Sequence, residues 1–336
     1  MTSFRASVLI FCMHVALVTS SAQEPTQSPK SVQPQQPTAT AAVPTPSIAE
    51  EVRKVVGFMG VAYQNGPVHG SVIGTCFFVL VPDARLGGNQ GFIYLVTNRH
   101  VAQPGIDLGT PYQVQAVFLR LNLVTPESGV QSVQEQIPLG GRLRWYFPSD
   151  DAVDLAVLPV APDQNRYAYT VIPASLFATS EQVKSSTVGV GDPVTFAGYF
   201  SSFPGQKRIE PIVRQGVVAM LPDEKLDTTL HKPGQLFLAD LHAFHGNSGS
   251  PVFASVGGFH RGAIMSERYI LLGIISGYYP ESAGFSVPAA TVLTGEVHDN
   301  SGIATIVPAE ELAKLLDSAE VRADRDRQVG ILTKKP

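Results

Sequence analysis

Cysteine is scarce in this chain of 336 residues, which contains only two. Cys12 lies inside an apolar N-terminal run, so Cys76 is the only cysteine expected once that run is removed. A single cysteine excludes an internal disulfide and a cysteine-rich zinc site, so the core alone must stabilise the fold. We interpret Cys76 as a small, buried apolar residue.

Charge is also sparse. Charged residues make up 15% of the chain, and the formal net charge is -4. Without a basic excess, the sequence predicts neither nucleic-acid binding nor attraction to an anionic membrane surface. The hydrophobic fraction of 44%, with 30 Gly and 26 Pro, is typical of a globular protein built from short strands.

The N-terminal segment over residues 1–22 has the pattern of a secretory signal peptide. Arg5 supplies the positive start, residues 6–18 are apolar, and residues 20–22 fit a small-residue cleavage site. The apolar run is too short for a membrane span, so no membrane insertion is expected after signal removal. The sequence therefore predicts a periplasmic or secreted protein. Residues 23–47, rich in Pro, Gln, Ser and Thr, predict a disordered linker.

Turn residues divide the rest of the chain into short apolar runs that predict strands. The predicted strands cover residues 55–63, 71–81, 92–97, 114–123, 155–160, 193–199, 209–220, 235–241, 250–254 and 271–276. No long helical patterns alternate with these runs, which argues against α/β architecture. We predict one all-β domain over residues 48–318, ending in a helix over 308–316 with Pro in its first turn. Residues 319–336 are predicted to be a polar C-terminal tail.

Residues 244–253 form the stretch with the clearest chemical character. Ser248 lies between two glycines, with a strand-like apolar run on either side. Gly tolerates positive φ, so this composition suits a tight turn that directs N–H groups toward one point. A serine hydroxyl there can attack a carbonyl while the N–H groups stabilise the oxyanion. From this stretch alone, a Gly/Ser turn without chemistry is the alternative.

Two upstream segments supply the partners that a nucleophilic serine needs. An apolar run over residues 91–97 precedes His100, and an acidic turn over residues 150–154 precedes a second apolar run. A histidine oriented by a carboxylate activates a serine hydroxyl. The chain order His, Asp, Ser is that of the chymotrypsin arrangement, whereas subtilisin-type and α/β-hydrolase enzymes use other orders.

The chain resembles the trypsin-like serine peptidases of the chymotrypsin fold, in their bacterial form. The matching segments, in the order of the family, are residues 97–101, 154–158, 246–251, 273–277 and 302–308. The resemblance implies an all-β fold of two six-stranded antiparallel β-barrels with a short C-terminal helix. It also implies a serine endopeptidase that acts on protein or peptide substrates, with no cofactor and no metal. Many bacterial envelope proteases of this superfamily carry a PDZ domain, and none is expected in the short segment after the predicted helix.

The resemblance assigns a role to each catalytic candidate. Ser248 is expected to be the nucleophile, His100 the general base, and Asp154 the residue that orients His100. The backbone N–H groups of Gly246 and Ser248 are expected to form the oxyanion hole. Asp150 and Asp151 are rivals of Asp154, which is preferred because it directly precedes the apolar run.

The resemblance also locates substrate contacts. His242, six residues before Ser248, is expected at the base of the specificity pocket, and Ser276 and Gly277 in the strand that pairs with the substrate. A histidine at the base predicts no preference for Lys or Arg before the scissile bond. Asp240 is the alternative pocket residue if the register slips.

Other readings remain from the residues. Arg99 replaces the usual small residue before His100, and Ser250 replaces the usual second Gly, so a catalytically silent peptide- or protein-binding module is the alternative. An esterase is a third reading. It is weakened because the elbow Gly is missing and because the His and Asp precede the Ser. A zinc site is disfavoured, although three residues have a compatible spacing. These are Asp240, His242 and His245.

Overall fold

The computed structural model describes residues 48–88, 90–125, 134–140, 143–260, 263–287 and 293–332. For residues 258–260, 263–267, 282–287 and 293–298 only the backbone is described. The predicted signal peptide, the predicted linker and the last residues of the predicted tail therefore lie outside the described part of the chain. Within that part, no helix has the length and apolar character needed to cross a membrane.

The first half of the domain is a sheet of eight strands. These are β1 (Val56–Asn65), β2 (Val68–Pro82), β3 (Gly91–Thr97), β4 (Gln113–Leu123), β5 (Gln134–Pro138), β6 (Ala156–Pro159), β7 (Tyr167–Ala168) and β8 (Val171–Pro173). The main path runs β5-β4-β1-β2-β3-β6, with β7 on β4 and β8 parallel to β2. Apolar side chains from several strands pack on one another in its interior, among them Met59, Phe78, Leu95 and Leu119.

The second half is a closed barrel of six strands in the order β10-β13-β16-β15-β14-β9. The strands of this half are β9 (Pro193–Gly198), β10 (Ile212–Met220), β11 (Leu226–Asp227), β12 (Pro233–Gly234), β13 (Phe237–Asp240), β14 (Pro251–His260), β15 (Ala263–Val287) and β16 (Leu293–Pro308). Strands β11 and β12 form a separate two-stranded ribbon. The all-β prediction and one six-stranded barrel are confirmed. In the first half, the described pairings give an eight-stranded sheet where a six-stranded barrel was expected.

Short helices connect and flank the strands. They are α1 (Ile48–Lys54), α2 (Arg99–Ala102), α3 (Ser180–Lys184), α4 (Ala309–Leu316) and α5 (Ala319–Leu332). The predicted helix over 308–316 is confirmed as α4, which buries Leu312, Leu315 and Leu316. These leucines join a core that also receives side chains from both halves, such as Tyr94 and Leu271. Side chains from both halves and from α1, α4 and α5 therefore pack in one shared apolar cluster.

Helix α5 occupies the segment expected to be a polar tail. Its mean hydropathy is low, but Val321, Arg325 and Val329, four residues apart, are buried. The Arg325 guanidinium donates to the carbonyl of Leu316 at the end of α4, at 2.7 Å. A cation at that position satisfies a carbonyl that the helix leaves unpaired. Because one of these three buried residues is an arginine, the apolar residues of the segment alone do not show a helical period.

The ten predicted strands all overlap observed strands, but the last two were far too short. The run predicted over 271–276 is part of β15, which has 25 residues. Beyond the barrel, β15 continues to pair with β14 on one side and β16 on the other. This extension is rich in Gly, Ser and charged residues, which favour turns when a short stretch of sequence is considered alone. Antiparallel pairing with the preceding and following strands overrides that local preference.

Candidate active site

The His100 side chain is held at the end of a central strand of the first half. Strand β3 ends at Thr97, and Asn98 begins the single turn of α2 that carries His100. The buried Asn98 amide donates to the carbonyl of Asp154 at 2.7 Å instead of capping the helix. This bond ties the histidine-bearing turn to the segment that carries the acid, which lies just before β6.

Asp154 receives two hydrogen bonds from His100. Its Oδ2 lies 2.7 Å from His100 Nδ1, and its Oδ1 accepts the backbone N–H of His100 at 3.0 Å. The Asp154 side chain is 1% exposed and the His100 side chain 15%. A carboxylate that accepts from Nδ1 fixes the tautomer that leaves Nε2 as a proton acceptor.

A chain of hydroxyls completes the surroundings of Asp154. Ser276 Oγ donates to Asp154 Oδ2 at 2.7 Å, and Thr229 Oγ1 lies 2.7 Å from Ser276 Oγ. An ionised carboxylate only accepts hydrogen bonds, so the single proton of Ser276 points to Asp154. Thr229 must then donate to Ser276. The tight turn between β11 and β12, where His231 has a φ of 55°, presents Thr229 at this point.

The pair carries perturbed pKa values. Burial works against the ionised form of Asp154, but the charge of His100 and the hydrogen bonds from His100 and Ser276 outweigh it and lower the pKa of Asp154. Burial likewise works against protonated His100, but the charge and hydrogen bond of Asp154 prevail and raise the pKa of His100. A buried carboxylate kept ionised beside a histidine is the arrangement that stabilises an imidazolium during proton transfer.

Ser248 lies on a tight loop between β13 and β14. Gly246 and Gly249 have φ values of 93° and 88°, in the left-handed region that favours glycine. Among the described residues, the backbone N–H groups of Gly246 and Ser248 have no hydrogen-bond partner, whereas that of Gly249 bonds to the Ile275 carbonyl. The loop thus offers two unpaired donors beside a half-buried hydroxyl.

The Ser248 hydroxyl donates to the carbonyl of Ser276 at 3.3 Å. Within the described residues it makes no hydrogen bond to His100. Catalytic hydrogen bonds are often long or misaligned without substrate and tighten when it binds, so this contact alone excludes nothing.

Thr75 of β2 anchors the Ser248 loop to the first half of the domain. Its Oγ1 donates to the Gly246 carbonyl at 2.8 Å and accepts the Tyr199 N–H at 2.9 Å. Its own N–H donates to the Ser248 carbonyl at 2.9 Å. The loop is therefore held from across the boundary between the two halves. Sequence reasoning did not find Thr75, because only long-range packing brings it to residues 246–248.

Asn247 holds the same loop from inside. Its side chain, in a residue that is 2% exposed, donates to the Tyr199 carbonyl at 2.7 Å and accepts the Phe244 N–H at 2.8 Å. A neutral amide can make both bonds at once. The turn that presents the Gly246 N–H is thus fixed by an uncharged side chain.

The residues predicted to contact substrate lie on the Ser248 loop and on β15. His242 is exposed; it stacks on Phe244 with ring centroids 6.4 Å apart and lies against Gly302. Gly277 lies against Thr229, one residue after Ser276. Asp240, the alternative pocket residue, is the last residue of β13 and pairs with Ile303.

The rival acids have other partners. Asp150 accepts the N–H of Ala152 at 2.9 Å, and Asp151, with a side chain 66% exposed, forms an ion pair with Lys232. Neither has a described contact with His100. Asp154 is thus the acid that the fold brings to His100.

The two departures from the family pattern are accommodated by neighbours. The Arg99 guanidinium lies 5.1 Å from the centre of the Phe147 ring and also donates to Gln103, so its described contacts are with these two residues. Ser250 is fully buried beside Gly198, where an added Cβ would lie 2.2 Å from Ser250 Oγ. A glycine at position 198 therefore makes the space that a serine at position 250 needs.

The described residues contain no cluster of side chains suited to bind a metal ion. Across the residues whose structure is described, no group of three or more His, Cys, Asp or Glu side chains lies close enough to hold a metal ion. Asp240, His242 and His245 are included in this finding.

Comparison with known proteins gives the class. A sequence model of the trypsin-like peptidase domain matches residues 74–259, more than half of the 336-residue chain. The chain therefore belongs to the trypsin-like peptidase family, as the sequence motifs predicted. No curated protein matches the chain.

Two solved structures have limited similarity to this chain. One, described as HtrA-type protease AlgW with tripeptide, has a TM-score of 0.45 and 14% identity. The similarity covers 80% of this chain and 61% of that one, so this chain spans less than two thirds of AlgW. The other, Deg5, has a TM-score of 0.40 and 17% identity, and the similarity covers 68% of this chain and 81% of Deg5.

Proposed function

We propose that the protein is an exported serine endopeptidase that hydrolyses peptide bonds through an acyl-enzyme. The observation that carries the proposal is the buried Asp154 carboxylate, whose Oδ2 lies 2.7 Å from Nδ1 of His100, in a domain of the trypsin-like peptidase family. The loop that carries Ser248 adds the two unpaired N–H groups that such a reaction needs.

In the proposed mechanism, Ser248 Oγ attacks the carbonyl carbon of the scissile bond and His100 Nε2 accepts the hydroxyl proton. To do so, the hydroxyl turns from the Ser276 carbonyl toward His100. The N–H groups of Gly246 and Ser248 bind the oxyanion of the tetrahedral intermediate. The C–N bond then breaks, and His100 delivers its proton to the leaving amine.

Water completes the cycle. It loses a proton to His100 Nε2 and attacks the acyl-enzyme, and collapse of the second tetrahedral intermediate returns the proton to Ser248 Oγ. Asp154 stays ionised throughout and stabilises the imidazolium in both steps. The hydroxyl chain from Thr229 through Ser276 supports that ionised state.

A fluorophosphonate probe tests the proposed nucleophile. Labelling of the wild-type protein but not of Ser248→Ala supports an activated serine, and peptide mapping then identifies Ser248 as the labelled residue. An unlabelled protein that still binds peptides would favour the silent binding module. Hydrolysis of simple esters without cleavage of any protein would favour the esterase.

Export rests on the sequence. We propose that residues 1–22 are removed as a signal peptide and that residues 23–47 link the mature N-terminus to the peptidase domain over 48–318. Helix α5, in the proposed tail over 319–336, packs on that domain through Val321 and Val329. Mass spectrometry of the protein recovered outside the cytoplasm tests this, since a mature N-terminus near residue 23 is expected. An intact residue 1 would contradict it.

A further inference from the structure

A pocket of about 190 Å³ lies beside the Ser248 loop, and the mechanism above does not use it. Six of its lining residues carry the argument. They are Tyr199, Phe200, Arg214, Phe244, His245 and Asn247. Three are aromatic, one is a permanent cation, and none of the residues that line the pocket is acidic. The pocket thus combines an apolar wall with a single positive charge.

Arg214 is the unusual member of this set. Its guanidinium lies 4.8 Å from the centre of the Phe244 ring, while its Nε is buried without a hydrogen-bond partner. Among the described residues, the Arg214 side chain forms no hydrogen bond or ion pair. Arg53, by contrast, pairs with Glu50 and Glu210. A partly buried arginine whose donors are unused has the chemistry of a binding site that takes an acceptor from outside the domain.

We propose that this pocket binds a peptide carboxylate through Arg214. The planar guanidinium presents paired donors that match the two oxygens of a carboxylate, and stacking on Phe244 fixes its orientation. One cation and aromatic walls suit a group of single negative charge on an organic chain better than a doubly charged, strongly hydrated phosphate.

The position of the pocket connects it to peptides. His245 and Asn247 line it, and they flank Gly246, whose N–H is proposed to bind the scissile carbonyl oxygen. Resting on that proposed function, the carboxylate has two possible sources. It belongs either to an acidic residue of the substrate itself, close to the cleaved bond, or to a separate acidic peptide that binds beside the loop.

Matched peptides test the first source. Internally quenched substrates that differ only in Asp or Asn are compared at each of the three positions on either side of the cleaved bond. We expect kcat/KM to be about tenfold higher for Asp at one position, the size expected for a hydrogen bond to a charged group. Arg214→Met, which retains an unbranched side chain to pack on Phe244, should lose this preference, and Arg214→Lys should retain part of it.

Direct binding tests the pocket independently of cleavage. In the Ser248→Ala protein, calorimetry is run with a blocked tripeptide containing a central aspartate and with its asparagine analogue. Binding of the aspartate peptide alone, lost on adding Arg214→Met, supports the carboxylate site even if no peptide is ever hydrolysed. If it binds in this way but no substrate position prefers Asp, the separate peptide is the source.

The outcomes separate the two proposals. Absence of both the Asp preference and aspartate-dependent binding overturns the carboxylate site, whatever the enzyme cleaves. Cleavage or fluorophosphonate labelling that fails while aspartate-dependent binding persists overturns only the proposed peptidase mechanism. Melting temperatures of both Arg214 variants close to that of the wild type ensure that a negative result does not reflect unfolding.

Discussion

The hydroxyls of Thr229 and Ser276 lie 2.7 Å apart and form a hydrogen bond. Ser276 in turn donates to the buried Asp154 carboxylate, so Thr229 is the outer member of a hydrogen-bonded chain that ends at Asp154. The direction of the chain is fixed, because Asp154 only accepts and Ser276 has one proton to give. Thr229 therefore acts on the proposed triad through Ser276, as a positioning residue, without touching His100.

Thr229→Val is expected to lower kcat/KM about fivefold, as loss of a hydrogen bond worth about 1 kcal/mol implies. His100 must be neutral to accept a proton, and its pKa is raised, so activity should be lost as the pH falls through that raised value. A weaker hydrogen bond to Asp154 leaves more negative charge facing His100, which raises the pKa of His100 further. The loss of activity at low pH should therefore begin at a higher pH in this variant. Thr229→Ser should restore both the wild-type rate and the wild-type pH dependence. A pH profile that is unchanged in Thr229→Val would refute the positioning role of Thr229.

Ser248→Ala and His100→Ala are each expected to abolish turnover, and Asp154→Asn to reduce it severely. Loss of triad members costs roughly 10⁴ to 10⁶ in rate in comparable proteases. Asp151→Asn is the matched control, because that carboxylate pairs with Lys232 in solvent. A crippled Asp151→Asn enzyme beside an active Asp154→Asn enzyme would show that the acid was wrongly assigned.

The proposed enzyme is expected to be active without a proteolytic cut, because neutral Asn247 already fixes the loop through Tyr199 and Phe244. Protein starting at residue 23 should hydrolyse substrate as made, and intact mass should show no cut between residues 47 and 57. Asn247→Asp cannot donate to the Tyr199 carbonyl, and we expect about a tenfold loss or more in kcat/KM, since a carboxylate would face that carbonyl. Activity that appears only after cleavage would contradict this prediction.

Cleavage sites are expected to show little enrichment of Lys or Arg before the scissile bond. His242, the proposed pocket residue, has no negative charge that could attract a basic side chain. Mass spectrometry of a digested, denatured protein measures the preference. Strong enrichment of Lys or Arg that disappears in Asp240→Ala and survives in His242→Ala would assign the pocket to Asp240 instead.

Ser250→Ala is expected to stabilise the fold by about 1 kcal/mol, or roughly 2–4 °C in melting temperature. The Ser250 hydroxyl is buried and has no hydrogen-bond partner among the described residues, so its removal relieves a desolvation cost. Gly198→Ala is the opposing control, because the added methyl would meet Ser250 Oγ and should destabilise the protein. Thermal unfolding of both variants provides the measurement, and a lower melting temperature for Ser250→Ala would refute the interpretation.

Local sequence patterns were sufficient for the parts of the fold that carry their own signal. The apolar run before His100, the Gly-rich loop around Ser248 and the leucines of α4 each showed a period or composition that a short window contains. Family order then brought His100, Asp154 and Ser248 together as candidates. In the structure Asp154 contacts His100, and the catalytic roles of the three residues stay predictions.

Contacts between distant segments could not be predicted in the same way. Thr75 lies 171 positions before Gly246 along the chain, and Thr229 lies 47 before Ser276, with no local pattern marking either residue. Arg325 was hidden for a different reason, since a buried cation looks like a surface residue in a hydropathy pattern. The role of each of these residues depends on hydrogen bonds that form only in the folded chain.

The anchoring of the Ser248 loop by Thr75 determines when, during synthesis and folding, the proposed site can form. Under the proposed mechanism, His100 and Asp154 leave the ribosome well before the nucleophile, and the loop is braced only after β2 has met residues 246–248. An incomplete or half-docked chain thus has no competent site. Such a peptidase stays harmless to its own nascent chain and to its neighbours until both halves have closed on each other.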